Sequence, residues 1–421
     1  MISPARTAAF EALVAFQRSG VLQVGKCSVK EDQKLAERIA YGVIQNERLL
    51  NALLSGFFTS KPHPQVLQII QLSAFQLLFL DRVPHSAVVN DAVALCKEKG
   101  KSFASGFVNA VLRRISREKQ QLLDSAKDYP PAVRFSHPDW LVSRLNAAFG
   151  PAFTEEFLQA NQGQPSITLQ VNTSKCGYSE LLRLLQESEA VILASDEEQQ
   201  SFHISGTDVT LLPGYREGFF FVQDGAAHIS VRLAQIRENM KVLDVCAAPG
   251  GKSIVAALCG GEVLACDVSE KRMQRCRENF QRLGLPITCR VEDACCFYED
   301  HEERFPVVIA DVPCTGSGII RKHPEIRNKK ESDLLGLVEL QKTILSNVAR
   351  YVAPGGILLY STCSVLPEED ELQIRSFLDT HPDYQLLPVS LPEYSCENGM
   401  LRSWPQLNGN DGFFAAVLKK T

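Results

Sequence analysis

From about Met240 to the C-terminus, six short apolar runs recur: Val242–Val245, Val263–Asp267, Ile287–Val291, Val307–Asp311, Ile357–Ser361 and Phe413–Leu418. Polar or helix-like stretches separate them. Runs this short and this rich in β-branched residues read as strands, and strands alternating with helices imply a mostly parallel, doubly wound sheet. In such a sheet ligands bind outside the carboxyl ends of the strands. The residues that directly follow each run are therefore the candidate site.

Upstream the pattern changes. Residues 1–128 read as an all-α bundle, with Phe10, Leu13 and Val14, then Leu35, Ile39 and Val43, then Val66, Ile69 and Ile70 at helical spacing. Ser86 is expected to cap a helix carrying Val88, Val89, Ala92, Val93 and Cys96, with Gly100 ending it. A last helix carries Phe107, Val108, Val111, Leu112 and Ile115, with Arg113, Arg114 and Arg117 among its polar positions. Tyr129-Pro130-Pro131 marks a boundary. Residues 129–222 then read as a small α+β linker domain: strand Ile167–Val171, helix Ser179–Gln186 and short strands up to Phe221-Val222. Residues 223–421 form the α/β domain.

Charge is uneven. The net charge is −5, yet residues 1–140 hold 18 Lys and Arg against 12 Asp and Glu, and the remainder holds 26 against 37. A basic end on an acidic body suits contact with a polyanion, as it also suits a solvated helical surface. The thirteen cysteines are scattered, odd in number and without zinc spacing, so reduced thiols and no bound metal are expected. The apolar stretches fall far short of a membrane span and the N-terminus lacks a signal-peptide layout. These features read as cytoplasmic.

The first strand leads into Cys246-Ala247-Ala248-Pro249-Gly250-Gly251-Lys252-Ser253. Small residues let the backbone approach a ligand, and the following helix start favours a carboxylate or phosphate. A dinucleotide fingerprint is absent, and a P-loop ending at Gly251-Lys252-Ser253 would need its first glycine where Cys246 stands. S-adenosylmethionine suits the loop better, because it carries no phosphate. Asp267, ending the second strand, is placed to accept from ribose hydroxyls, and Asp293 after the third strand from an adenine amine. Each aspartate would serve equally as a loop cap.

Two later strands each hand over to a thiol: Cys314 in Asp311-Val312-Pro313-Cys314-Thr315-Gly316-Ser317-Gly318 and Cys363 in Tyr360-Ser361-Thr362-Cys363-Ser364. Carbon 5 of cytosine is a poor nucleophile. A thiolate adding to carbon 6 makes it enamine-like and able to take a methyl group, after which loss of the carbon-5 proton and elimination free the thiol. Either cysteine is placed to attack, although an isolated cysteine is more often ordinary core.

The glycine-rich loop, the two thiol segments, Pro367-Glu368-Glu369, Val222-Gln223-Asp224 and Asp411-Gly412-Phe413-Phe414 together resemble the RNA cytosine-5 methyltransferases. The likeness runs from about residue 130 to the end. Phe107-Val108-Asn109-Ala110-Val111-Leu112 resembles the NusB-like RNA-binding bundle, a fusion found in bacterial members acting on small-subunit ribosomal RNA. One departure is Val312, where many members carry a smaller residue.

The resemblance implies a NusB-like bundle, a linker domain and a Rossmann-like methyltransferase domain. It implies Cys363 as nucleophile, Cys314 as the group assisting release, and Asp311 holding the flipped base. Cys246, Ala247, Ala248, Pro249, Gly250, Gly251, Lys252, Asp267, Asp293 and Asp311 would line an S-adenosylmethionine site. DNA enzymes attack with the Pro-Cys thiol, so the order here points to RNA. The implied partner is 16S ribosomal RNA, naked or in an early assembly intermediate, met by a monomer, with no membrane and no DNA. Arg321, Lys322 and His323, beside Arg327, Lys329 and Lys330, and Arg113 and Arg114 on the bundle, are the expected RNA contacts. A non-catalytic RNA-binding or assembly factor is the alternative reading.

Overall fold

A computed structural model describes residues 2–205 and 208–421. The chain divides into two units. One runs to Gln162 and takes in His323–Lys329; the other holds Gly163–Lys322 and Lys330–Thr421.

The first unit is helical. Its central element, Pro64–Phe79, is buried on nearly every face, with Gln68, Gln71 and Gln76 among its covered residues. Pro64 at its first turn presets φ, and the His63 ring accepts from the Gln65 amide at 3.2 Å. Helices Pro4–Ser19, Lys30–Gln45, His85–Glu98 and Ser105–Arg117 pack around it. The approach of Lys30–Gln45 is close: a Cβ on Gly42 would lie 2.0 Å from the Phe75 ring. Two expectations shift here. The helix expected to begin at Ser86 starts at His85 with Pro84 at its cap, where the proline holds the extended φ a cap needs, and Ser86 caps nothing. Phe107, expected in the core, is 40% exposed and packs its ring 6.0 Å from Phe58.

The unit continues past Tyr129-Pro130-Pro131, which forms a turn between helices. Helices Asp139–Phe149 and Pro151–Ala160 stay with the bundle. Gln45 Nε2 donates to the carbonyls of Asn161 and Gln162 at 3.1 and 2.9 Å.

In the second unit, strands β1 (Ile167–Val171), β2 (Val191–Asp196), β3 (Ser201–Ser205) and β4 (Phe220–Val222) form an antiparallel sheet in the order β2-β3-β1-β4. Leu169, Phe202, Ile204 and Phe220 pack there with Leu181 and Leu185 of helix Tyr178–Gln186.

The larger sheet holds β5 (Lys241–Asp244), β6 (Glu262–Asp267), β7 (Thr288–Val291), β8 (Phe305–Asp311), β9 (Val352–Thr362), β10 (Tyr384–Leu387), β11 (Leu401–Ser403) and β12 (Phe413–Lys420). Its order is β10-β12-β9-β8-β5-β6-β7, with β11 paired to β12. All six expected strands are present; β10 and β11 are too short and too mixed to stand out in the sequence. Strands β5 to β9 are parallel, and β12 enters antiparallel beside β9. From β5 the chain first builds outward through β6 and β7, then crosses back to β8 and β9. That reversal is the topological switch point, and the crevice for a ligand opens there.

Candidate active site

The loop after β5 lies at this switch point. Gly250 has φ +105°, and a Cβ there would meet the Phe280 ring at 2.7 Å, so only glycine carries the turn into helix Gly251–Leu258. A Cβ on Gly251 would come 3.1 Å from Gln223 Nε2, a close approach of Val222-Gln223-Asp224 to the loop. Asp244 is fully buried; its Oδ2 accepts from Ser253 at 2.6 Å, while Oδ1 has no partner. Burial pushes its carboxyl up to about 7. Gln223 Oε1 is likewise buried and unpartnered. A glycine cradle with two orphaned buried acceptors fits a polar cofactor.

Asp267 ends β6, its carboxylate accepting from the Ala248 amide at 3.2 Å and the Ser269 amide at 3.0 Å, with Arg272 alongside at 3.4 Å. It thus braces the loop holding Ala247, Ala248 and Pro249. Asp293 accepts from the Cys295 amide at 2.9 Å, a loop-capping contact. Burial pushes the Cys246 thiol well up.

Between loop and thiols stands an ion pair. Lys252 Nζ lies 2.7 Å from Asp311 Oδ2 and 4.9 Å from the Phe413 ring centre, and the Ser361 hydroxyl donates to Asp311 Oδ1 at 2.8 Å. Asp311 keeps about a third of its side chain exposed (34%).

The two thiols meet. Cys314 follows β8 and Cys363 follows β9, adjacent parallel strands in register at Asp311 and Ser361, and their Sγ atoms are 3.2 Å apart. The hydrogen bond with Cys363, then burial, hold the Cys314 thiol well above its ordinary range. The loops are also joined through backbone, Val312 N–H donating to Ser361 and Gly318 N–H to Cys363. The Asp411-Gly412 turn before β12 closes against them, Gly412 N–H donating to the Gly318 carbonyl at 2.9 Å. Beneath the thiols lies a group that sequence reasoning missed. Glu369 binds Thr315 and Ser364, the residues immediately after each cysteine. The motif Pro367-Glu368-Glu369 was the available signal, without a role attached.

The basic residues are arranged otherwise than expected. Arg321 donates to the carbonyls of Gly409 and Asn410 and pairs with Asp411, while Lys322 pairs with Asp411 at 2.6 Å and Asp224 at 3.6 Å. Both hold the turn before β12, because two buried carboxylates close together need cations. Burial, then Asp411, raises the Asp224 carboxyl to about 6. In the first unit Arg327 is buried and donates to the Asn161 carbonyl, its guanidinium lowered to about 9 by burial. It is a packing residue, not a phosphate contact. His323 is exposed beside Glu325. Arg113 and Arg114 remain on the exposed face of helix Ser105–Arg117, Arg114 stacked 4.5 Å over Phe57 and paired with Glu118.

Cys266, Glu292 and His301 were also not foreseen as a cluster. Glu292 accepts from the Cys266 thiol at 3.1 Å and bonds the His301 ring at 2.8 Å, so the three satisfy one another. Among the described residues no helix is long and apolar enough to cross a membrane.

Comparison with known proteins decides the family. A family model described as 16S rRNA methyltransferase RsmB/F matches residues 231–419, the NusB family matches 3–117, and a ferredoxin-like domain of RsmF/B-like methyltransferases matches 137–209. Ribosomal RNA small subunit methyltransferase B of Erwinia tasmaniensis is 34% identical over 96% of this chain and 94% of its own length. The chain belongs to the ribosomal RNA small subunit methyltransferase B family. A probable member from Synechocystis is 33% identical over 92% of the chain and 91% of its own. The crystal structure of PH0851 superposes with a TM-score of 0.81 at 25% identity, covering 100% of this chain and 99% of that one. The family is S-adenosylmethionine-dependent and methylates ribosomal RNA. The expected NusB-like bundle and Rossmann-like methyltransferase domain are thereby established, and the expected small α+β linker domain matches a ferredoxin-like one. The cofactor loop, Lys252 and Gln223 are the residues that fit S-adenosylmethionine.

Proposed function

We propose that the chain methylates carbon 5 of a cytosine in 16S ribosomal RNA, with Cys363 as the attacking thiolate and Cys314 as the release partner. The observation that carries this reading is the 3.2 Å meeting of the two thiols at the ends of β8 and β9, beside the Lys252–Asp311 pair. S-adenosylmethionine supplies the methyl group as an electrophile. Cys363 adds to carbon 6, and Asp311, oriented by Lys252 and Ser361, is placed to accept from the base edge. Once carbon 5 is methylated, water entering the open site takes its proton, the C–H electrons restore the double bond between carbon 5 and carbon 6, and the Cys363 sulfur leaves with the electron pair of its bond to carbon 6. Cys314, held as a neutral thiol, donates its proton to the departing sulfur.

Within this proposal the enzyme is of the type that modifies cytosine 967. A base in a stack is out of reach, so an exposed loop or junction suits the site. On the bundle, Phe103, 79% exposed in the turn before helix Ser105–Arg117, and the exposed Phe107 and Arg114 of that helix supply stacking surface and charge for unpaired bases.

The test incubates Cys314→Ala and Cys363→Ala proteins with S-adenosylmethionine and 16S RNA. The first should accumulate a covalent RNA–protein adduct, and the second should give neither adduct nor product. The reverse pattern overturns the assignment of the nucleophile.

A further inference from the structure

Glu369 is fully buried, and its two oxygens take four hydrogen bonds. Oε1 accepts from the Thr315 amide at 2.7 Å and the Gln341 side chain at 3.0 Å. Oε2 accepts from the hydroxyls of Thr315 and Ser364, each at 2.5 Å. Every partner is a donor, and four donors fill the lone-pair sites of an ionised carboxylate. All four are also neutral, so no cation in that set balances the charge.

The partners are the chain on either side of the chemistry. Thr315 follows Cys314, Ser364 follows Cys363, and the Gln341 amide also donates to the Pro313 carbonyl at 2.9 Å. Ser317 extends the ring, bonding Ser364 at 3.0 Å and accepting from the Val365 amide at 3.0 Å. Two loops from different strands are thus tied to one side chain. The other charged groups nearby are internally paired, Asp311 with Lys252 and Asp370 with Arg402.

The geometry points to Glu369 as a positioning residue that locks the two cysteine loops at one separation and sets its charge beside the Cys314 loop. The locking stands on the hydrogen bonds alone, whereas the expected difference between the two thiols rests on the proposed reading of Cys363 as nucleophile. Glu369 acts through the thiols and touches no reacting atom. Its negative charge is among the causes, after the Cys363 hydrogen bond and burial, that hold the Cys314 thiol high. A glutamine in its place would turn an N–H2 group toward at least one of these donors.

The experiment measures iodoacetamide alkylation of each thiol by peptide mass spectrometry, without RNA, alongside single-turnover methyl transfer to 16S RNA. In the wild type Cys363 should react faster than Cys314, because the thiolate is the reactive form. Glu369→Gln should shrink that ratio by about tenfold, the equivalent of one pKa unit, and Glu369→Asp should restore part of it. An unchanged ratio in a Glu369→Gln protein with wild-type melting temperature overturns the proposal. Should that variant not fold, Thr315→Val/Ser364→Ala decides: it keeps the charge and drops both hydroxyl ties. Slower transfer with the alkylation ratio retained supports the clamp, and unchanged transfer overturns it. If the ratio collapses in Glu369→Gln while Cys363→Ala still methylates RNA, the nucleophile assignment fails and the clamp stands.

Discussion

Lys252 and Asp311 form an ion pair at 2.7 Å that joins the cofactor loop after β5 to the end of β8. The lysine is almost wholly covered, and the aspartate is about a third exposed (34%). Removing one partner of a covered pair leaves the other charge uncompensated. Lys252→Met should destabilise the protein by about 2 kcal/mol, below the full cost of a buried pair because water reaches Asp311. In urea unfolding, the Lys252→Met/Asp311→Asn protein should lose less than the sum of the single variants. Additive losses would show that the pair is not coupled.

The 3.2 Å contact of Cys314 and Cys363 is close to covalent reach. Diamide, a diazene that accepts two hydrogens as it oxidises two thiols, should join them into a disulfide. Intact mass should fall by two hydrogens, methyl transfer should stop, and dithiothreitol should restore both. Cys314→Ala protein should show no such mass change. Persistence of both free thiols under diamide would mean that the loops hold the sulfurs apart.

Asp244 gives a pH signature. Its folded carboxyl titrates near 7, whereas in the unfolded chain it titrates near 4. Between those values the folded protein holds a proton that the unfolded chain has released. The stability this contributes is full below about pH 4 and is lost as pH rises toward 7. Relative to Asp244→Asn, the wild type should therefore weaken by up to about 1.4 kcal/mol for each pH unit across that window. Parallel curves for the two proteins would show that Asp244 is not buried as a neutral acid.

Two glycines in the second unit should respond oppositely. A Cβ on Gly318 would lie 2.0 Å from the Gly412 carbonyl oxygen, and only backbone movement relieves it. Gly318→Ala should cost about 2 kcal/mol and most of the methyl transfer, since the clash falls between the Cys314 loop and the turn before β12. Gly336 lies in helix Glu331–Val348 with open space around it. Gly336→Ala should stabilise by roughly 0.5–1 kcal/mol and leave activity unchanged. Melting curves and one transfer assay separate the two.

The basic residues divide by their partners. Arg113→Glu/Arg114→Glu should weaken RNA binding and flatten its salt dependence, with only a small fall in melting temperature from the lost Glu118 pair and Phe57 contact of Arg114. Arg321→Ala should instead lower the melting temperature, since Arg321 carries the turn at Gly409–Asp411. Filter binding across a salt series, paired with thermal melts, checks both.

Much of the catalytic unit was legible because each strand is a local, apolar, β-branched run and each functional loop follows one directly. Six strands, the glycine turn and both thiols came from that pattern. The partners of Arg321 and Lys322 were not legible, because a cation after a thiol loop looks the same whether it faces phosphate or a buried carboxylate. Asp224 and Asp411, which claim them, lie far away in the chain. Phe107 and Ser86 failed for a smaller reason: periodicity marks a face but not its cover, and the cap next door was a proline.

The sequence by itself determined the alternating architecture, the cofactor turn and the two segments carrying sulfur, because these depend on neighbouring residues. Only the tertiary structure decided that the sulfurs touch, that Lys252 serves Asp311, and that Glu369 grips both loops. Those relations arise where β5, β8 and β9 lie side by side, and strand order in a sheet is a property of the packed chain rather than of any segment within it.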